Sequence, residues 1–213
     1  MTHFILDCDD VLLDWQSGFM RFWSAHGITL DPAGPQTWDL SEWIGSSPEF
    51  AAEMVLRFNE SDEFGRLEAL PGVVSVVRSM RDQGHKVSVV TCCGRERKIR
   101  SARILNLWNC FGVSTVLDSR ADREHHLLMF DSVTFLDLGA SKFDTLFQIA
   151  IKTPESVFVD DNFKHAQAGH RSGMKSYCVR RTHYRADEAA NPETGVIWID
   201  HLSEVLDYHG RSQ

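Results

Sequence analysis

Several absences narrow what this chain can be. No apolar run approaches the ~20 residues that a membrane-spanning helix needs, although apolar residues make up 43% of the sequence. A soluble protein with no membrane partner is therefore expected. Basic residues are outnumbered, 22 lysines and arginines against 30 aspartates and glutamates, and the resulting charge of −8 repels polyanions. A nucleic acid polymer is not an expected partner. Cysteine is sparse and irregular: there are five, with Cys92 and Cys93 adjacent, giving neither a disulfide framework nor the spacing of a zinc site. They read as reduced thiols, mostly small buried hydrophobes. Met1-Thr2-His3 runs directly into an apolar stretch, leaving no room for a secretory leader, so the expected setting is cytoplasmic. Repeats and low-complexity segments are missing as well. What remains is 213 residues, enough for one substantial domain or one domain carrying an insertion, stable without staples.

The stretch around which the chain is organised is Phe4-Ile5-Leu6-Asp7-Cys8-Asp9-Asp10-Val11-Leu12-Leu13. Phe4 to Leu6 is the kind of short apolar run that forms a strand covered on both faces, and Asp7 and Asp9 fall at its carboxyl end. In an open parallel sheet that end is where ligands bind. Carboxylates at i and i+2 share a face of an extended chain, whereas Asp10 points elsewhere. Two like charges held that close need a cation or a shared proton. The pair therefore suggests a divalent metal beside a nucleophilic carboxylate; aspartates that merely cap a turn are the alternative.

From Asp14 to about Leu70 aromatic residues are dense and no strand-like run occurs, which predicts a helical insert. Trp15, Phe19, Phe22 and Trp23 make one helical stripe, and a second helix is expected from Pro48 through Phe58. Trp38 and Trp43, in a loop-like segment, are the best candidates for substrate contacts from this insert. At Pro71-Gly72 the texture changes. Val73, Val76, Val77 and Met80 predict a helix, Lys86 to Thr91 a strand, and Ile99, Ala102, Leu105 and Trp108 a further helix opening near Gly94 and closing before Gly112. The region 113–131 is the least legible, with a strand at Ser114 to Leu117 and a short helix at Arg123 to Phe130 as its best reading. Strands at Ser132 to Leu138, Ser156 to Asn162, Ser176 to Val179 and Val196 to Ile199 alternate with helices at Phe143 to Ile151, Lys164 to His170 and His201 to Tyr208, leaving a polar loop from Arg180 to Gly195. Such alternation predicts an α/β fold: a doubly wound, mainly parallel sheet with an inserted helical cap. The expected division is a core of 1–13 and 70–213 with a cap of 14–69.

Thr91, Lys142 and the pair Asp160-Asp161 fall, like Asp7 and Asp9, at or just beyond strand ends. In that order the motifs Asp7-Cys8-Asp9-Asp10-Val11-Leu12, Val87 to Thr91, Lys142, and Phe158-Val159-Asp160-Asp161-Asn162 resemble the haloacid dehalogenase (HAD) superfamily in its phosphatase branch. The run from Ala166 to Met174 resembles the helix and turn that follow the last motif. The resemblance implies a Rossmann-like core with a C1-type cap, and an Mg²⁺-dependent phosphomonoester hydrolase of a small phosphorylated metabolite, a nucleotide or a sugar phosphate. By the same resemblance Asp7 is the nucleophile that becomes an aspartyl-phosphate. Asp9 is the acid and base, and its presence separates phosphatases from dehalogenases. Lys142 and Thr91 hold the phosphate, and Asp7, Asp9 through its carbonyl, Asp161 and Asp160 hold the metal. These roles suit phosphoryl transfer, which asks for an in-line nucleophile, a proton donor and positive charge over the equatorial oxygens. Taken singly, Lys142 reads equally as a solvated turn lysine, and Asp160-Asp161 as the N-cap pair of the next helix. The basic residues Arg95, Arg97, Lys98 and Arg100 could meet a second anionic group or form a solvated face. A catalytically idle HAD-like module, binding a phosphorylated ligand or a protein, stands as the alternative function.

Overall fold

The computed structural model describes residues 1–37, 39–112, 129–181 and 195–210, with side chains up to 207. The expected strand at 114–117, all but the last two residues of the expected helix at 123–130, Trp38 and most of the 180–195 loop lie outside the described residues; Met129 and Phe130 are not helical.

The sheet is built from β1 (His3–Leu6), β2 (Lys86–Thr91), β3 (Ser132–Phe135), β4 (Ser156–Asp160), β5 (Lys175–Val179) and β6 (Val196–Ile199). The order is β3-β2-β1-β4-β5-β6 and every pairing is parallel. Burial on both faces explains the apolar strands: Phe4 and Leu6 join one buried cluster with Val87, Val89, Val157 and Val159, while Ile5 joins Val90 and Phe158 in another on the opposite face. Between the strands run α4 (Val73–Asp82), α5 (Arg97–Phe111), α6 (Phe143–Lys152) and α7 (Phe163–Arg171), and α8 (Ser203–Gly210) follows β6. Val73, Val77 and Met80 of α4 reach the first cluster and Leu146 of α6 the second, so helices cover both faces. Gly169 lets α7 lie directly on the sheet, because a Cβ there would come within 2.5 Å of the Phe158 ring.

Chain direction across the sheet reverses between β1 and β4. The chain leaves β1 toward β2 and β3, then returns through α6 to pair β4 on the other side of β1. Their adjacent carboxyl ends form the topological switch point, where a doubly wound sheet opens a crevice.

Between β1 and α4 come α1 (Trp15–Ala25), α2 (Leu40–Ile44), α3 (Pro48–Asn59) and a 3₁₀ turn at Glu63–Arg66. Their aromatic side chains pack together: Trp15 stacks on Phe19 at 4.7 Å between ring centres, and Phe58 meets Phe19 at 5.5 Å and Phe64 at 5.8 Å. The segment leaves and rejoins the sheet side by side, for the Leu70 amide donates to the Leu12 carbonyl at 2.9 Å and the Asp14 amide to the Glu68 carbonyl at 2.9 Å.

Four details differ from expectation. Trp43 lies in α2, where Asp39 caps the helix and Gly45 ends it with φ +69°, rather than in a loop. The strand expected to reach Leu138 stops at Phe135, because its partner β2 ends at Thr91, opposite Phe135. Phe147, whose spacing sets it on one face of α6 with Phe143, Leu146 and Ala150, does not share the burial of Leu146: it is 42% exposed and stacks on Phe143. Most instructive is α5. It begins at Arg97, since Gly94 with φ +113° is not helical, and its buried face is Ile99, Arg103, Asn106, Leu107 and Phe111. Leu105 and Trp108, expected inside, are exposed.

Candidate active site

Asp7 lies one residue beyond β1, yet its amide still donates to the Val159 carbonyl at 2.8 Å, so the ladder continues and sets Asp7 beside Asp160. Lys142, at the start of α6, comes from the opposite side. It is 1% exposed, and its ammonium donates to both Asp7 and Asp160, the latter at 2.7 Å. The solvated turn lysine is thereby excluded. Asp161 completes the group: carboxylate oxygens of Asp7, Asp160 and Asp161 lie within 4.8 Å of one another, and all three residues are buried. Asp160 and Asp161 do not cap α7. Asn162 does, its side-chain oxygen accepting from the amides of Lys164 at 2.9 Å and His165 at 3.4 Å. Asp160 instead accepts the Asn162 amide at 2.8 Å and stands 3.5 Å from the His165 ring.

This concentration of charge is uneven. Burial pushes the Asp7 carboxyl up to about 6, with the Lys142 charge opposing the rise and Asp160 and Asp9 adding to it. Burial acts on Asp160 as well, but the Lys142 charge and His165 outweigh it and hold this carboxyl below its ordinary value. Asp161 is driven well above the usual range by burial and by Asp160, Asp10 and Asp7, with the Arg181 charge opposing the rise, and it makes no ion pair among the described residues. Three buried carboxylates thus face one ammonium. A donor set of hard oxygens short of positive charge suits a small divalent cation such as Mg²⁺.

Asp9 is not part of this group. Its carboxylate turns to Arg103 on α5, whose guanidinium is fully buried, and Asp9 itself is only partly covered. Asp10 takes φ +53°, the left-handed backbone that closes the turn from Cys8 to Leu13. Its side chain accepts the amides of Trp15 at 3.1 Å and Gln16 at 3.2 Å, the first two of α1, beside the N-cap Asp14, while Arg181 grips its carbonyl, Nε donating at 2.8 Å. Burial pushes the Asp10 carboxyl up to about 7. The Thr91 hydroxyl, buried at the end of β2, has no nitrogen or oxygen partner among the described residues; the Cys93 thiol, a weak acceptor, interacts with it.

Asp7, Asp9, Asp10, Lys142, Asp160 and Asp161 floor a cleft of about 510 Å³, which Thr91 and Arg103 do not line. Its opposite wall comes from the helical segment: Trp15, Leu40, Ala51, Ala52 and Val55 are apolar, and Gln16, Thr37 and Asn59 supply polar groups. That wall carries Asp39 but no lysine or arginine among the described residues. Trp43 does not line the cleft; its indole donates to the Asp31 carbonyl at 2.9 Å. Arg95, Arg97, Lys98 and Arg100 also lie outside it: Arg95 stands 3.6 Å from Asp137, and Arg100 covers the Phe135 ring.

Sequence reasoning missed Arg103, Arg181, His165 and Asn59. For Arg103 a signal was available, since it falls one turn from both Ile99 and Leu107, an arginine in an otherwise apolar row. The other three had none.

An all-parallel sheet in this order, with acidic residues crowding its switch point, has the haloacid dehalogenase-like fold. Among solved structures, the chain is similar to a haloacid dehalogenase-like family hydrolase from Streptococcus pneumoniae at 13% identity and a TM-score of 0.62, over 98% of each chain. A phosphonoacetaldehyde hydrolase-like protein from Oleispira antarctica shares 16% identity with a TM-score of 0.59, over 99% of this chain and 91% of that one. The D,D-heptose 1,7-bisphosphate phosphatase from Burkholderia thailandensis shares 14% with a TM-score of 0.53, over the whole of both chains. No family model and no curated protein matches the sequence. Among the described residues no helix is long and apolar enough to cross a membrane.

Proposed function

We propose that this chain is a magnesium-dependent phosphomonoesterase acting on a small metabolite, with residues 14–69 forming a cap over the site. The observation that carries the reading is the buried Lys142 ammonium shared by Asp7 and Asp160 beside Asp161, which makes no ion pair among the described residues. Asp7, the Asp9 carbonyl and Asp161 would hold Mg²⁺, with Asp160 in support. When bound, the ion offsets the charge of the carboxylates and of the phosphate between them. Asp7 attacks phosphorus and becomes the aspartyl-phosphate, dividing one displacement into two. Lys142 holds the nucleophile in place and balances charge on the phosphoryl oxygens. The Thr91 hydroxyl, without a strong acceptor of its own, donates to one of those oxygens. Asp9 gives a proton to the departing oxygen and then takes one from the attacking water.

The wall supports a narrower substrate class. A wall of apolar and uncharged polar groups with one carboxylate suits a single phosphate on an uncharged organic group, a nucleoside or sugar monophosphate, with the exposed Lys164 at the start of α7 as the cation lining the cleft besides Lys142 among the described residues. All five cysteines are free, which suits a reducing cytoplasm. The idle-module alternative has no comparable support, since Asp7 lines the open cleft.

The test is release of inorganic phosphate from a panel of nucleoside and sugar monophosphates, with Mg²⁺ and with EDTA. Turnover should require Mg²⁺ and should fall by about a thousandfold or more in Asp7→Asn. Failure of the natural chain to turn over any compound would overturn the reading and favour a binding module.

A further inference from the structure

Arg103 is a charged side chain with no exposure, and its charge is poorly spent. Its guanidinium lies over the face of Phe64, 4.1 Å from the ring centre, and one nitrogen donates to Asp9 Oδ1. Its Nε and its other terminal nitrogen are buried with no nitrogen or oxygen partner among the described residues; beyond Asp9 and the Phe64 ring the guanidinium meets the Cys93 thiol, a weak acceptor. An arrangement with so many unsatisfied donors is costly, and an apolar residue of similar size would cost less. What the arginine does achieve is geometric. The face of α5 that carries it is tied to the end of the helical segment: the Asn106 amide donates to the Leu67 carbonyl at 2.6 Å, Cys110 Sγ reaches the same carbonyl at 3.4 Å, and Gly65 lies against Ala102. A side chain rooted there is a fixed post. It holds one oxygen of Asp9, while Oδ2 makes no hydrogen bond among the described residues and belongs to a residue lining the cleft.

We infer that Arg103 is the positioning residue for Asp9, anchoring Oδ1 so that Oδ2 is the oxygen that exchanges protons with the leaving group and with water. The inference rests on the phosphatase reading and adds the residue that makes the acid work. It predicts an effect on bonds that break only with proton donation. An alkyl phosphate needs its departing oxygen protonated; p-nitrophenyl phosphate releases a stable phenolate and does not.

The experiment compares kcat for glycerol phosphate and p-nitrophenyl phosphate in the natural chain, Arg103→Met, Arg103→Lys and Asp9→Asn, and in Arg103→Met combined with Asp9→Asn. The expected result is a loss of about a hundredfold on glycerol phosphate in Arg103→Met, with p-nitrophenyl phosphate changed only a few-fold. Arg103→Lys keeps the charge and should recover part of the loss; it also serves if the methionine variant does not fold. In the Asp9→Asn background Arg103→Met should add nothing further, because the arginine acts through Asp9. Equal losses on both substrates, or an undiminished effect of Arg103→Met without the Asp9 carboxylate, would overturn the inference and leave Arg103 a structural ion pair. If the natural chain hydrolyses neither compound nor any monophosphate of the panel, the phosphatase reading itself fails, an outcome recognisable before any variant is measured.

Discussion

The floor and the wall of the cleft are built on opposite terms. The floor is charge held on rigid elements: Asp7 and Asp160 at the ends of neighbouring central strands, Asp161 just beyond, and Lys142 at the start of a helix that packs on the sheet. The wall is helical, largely apolar, and joined to the sheet through adjacent entry and exit chains. A floor of this kind fixes which reaction can occur. A wall of this kind fixes what may be attached to the reacting group. Substitutions in the floor should therefore alter stability and rate together, and substitutions in the wall should alter selectivity alone.

The sharpest test of that division is Lys142→Met. Removing one partner of a buried ionic group leaves uncompensated charge, which costs about 3–5 kcal/mol. Denaturant unfolding should show a loss of that order, and phosphate release should nearly vanish. A variant as stable as the natural chain would mean that the floor does not depend on this ammonium.

Acidity offers a second test. Asp7 has its folded-state value raised from 3.8 to about 6, so between those limits the folded chain binds a proton that the unfolded chain has released. Its contribution to stability is complete below 3.8 and lost as pH rises through about 6, a change on the order of 3 kcal/mol. Asp161 acts in the same direction; Asp160, held low, acts in the opposite one, stabilising above its unfolded value and losing that effect as pH falls. In EDTA, Asp7→Asn should therefore be more stable than the natural chain at pH 7, with the advantage shrinking toward pH 4. Added Mg²⁺ should stabilise the natural chain most at the upper end of that range. Unfolding curves across pH, with and without the ion, check both statements.

Thr91→Val comes next. The hydroxyl is buried without a strong partner, so an isosteric methyl strands nothing and stability should hardly move. Loss of a donor to the phosphoryl group should cost about a hundredfold in kcat. A large loss of stability instead would place Thr91 with the packing rather than with the chemistry.

The sequence was legible where one residue type has one use. Apolar runs of four to six residues gave the strands, since a parallel sheet buries both faces, and the carboxylates behind two of those runs marked the switch point. It was less legible where a helix buries polar residues. Periodicity put Leu105 and Trp108 inside α5, but the helix turns Arg103 and Asn106 inward because each has a specific acceptor, Asp9 and the Leu67 carbonyl. Asp10 shows the same limit. A residue two places after Asp7's neighbour Cys8 reads as one more acid, yet its backbone is left-handed and its carboxylate accepts the first two amides of α1, facts that depend on where the chain goes next. The wall was the hardest part. Aromatic residues mark it as packed but do not say which of them face the cleft: Trp15 does, and Trp43 does not.

The smallest expected effect tests the wall. Ala52 is exposed, lies on α3 and lines the helical wall of the cleft, which carries no lysine or arginine among the described residues. In Ala52→Lys an ammonium is added to that surface at little cost to packing. A second phosphate on the substrate would then meet a positive group, an exposed pairing typically worth up to about 1 kcal/mol. KM for a sugar bisphosphate should fall a few-fold, KM for the matching monophosphate should stay unchanged, and kcat for both should hold. The measurement is the ratio of kcat/KM for the two compounds in the variant against the natural chain. If kcat for the monophosphate fell as steeply as in the floor variants, the wall would be part of the chemistry and the division between the two surfaces would not hold. A ratio shifted through KM alone would locate the choice of substrate in the helical segment and leave the reaction to the sheet.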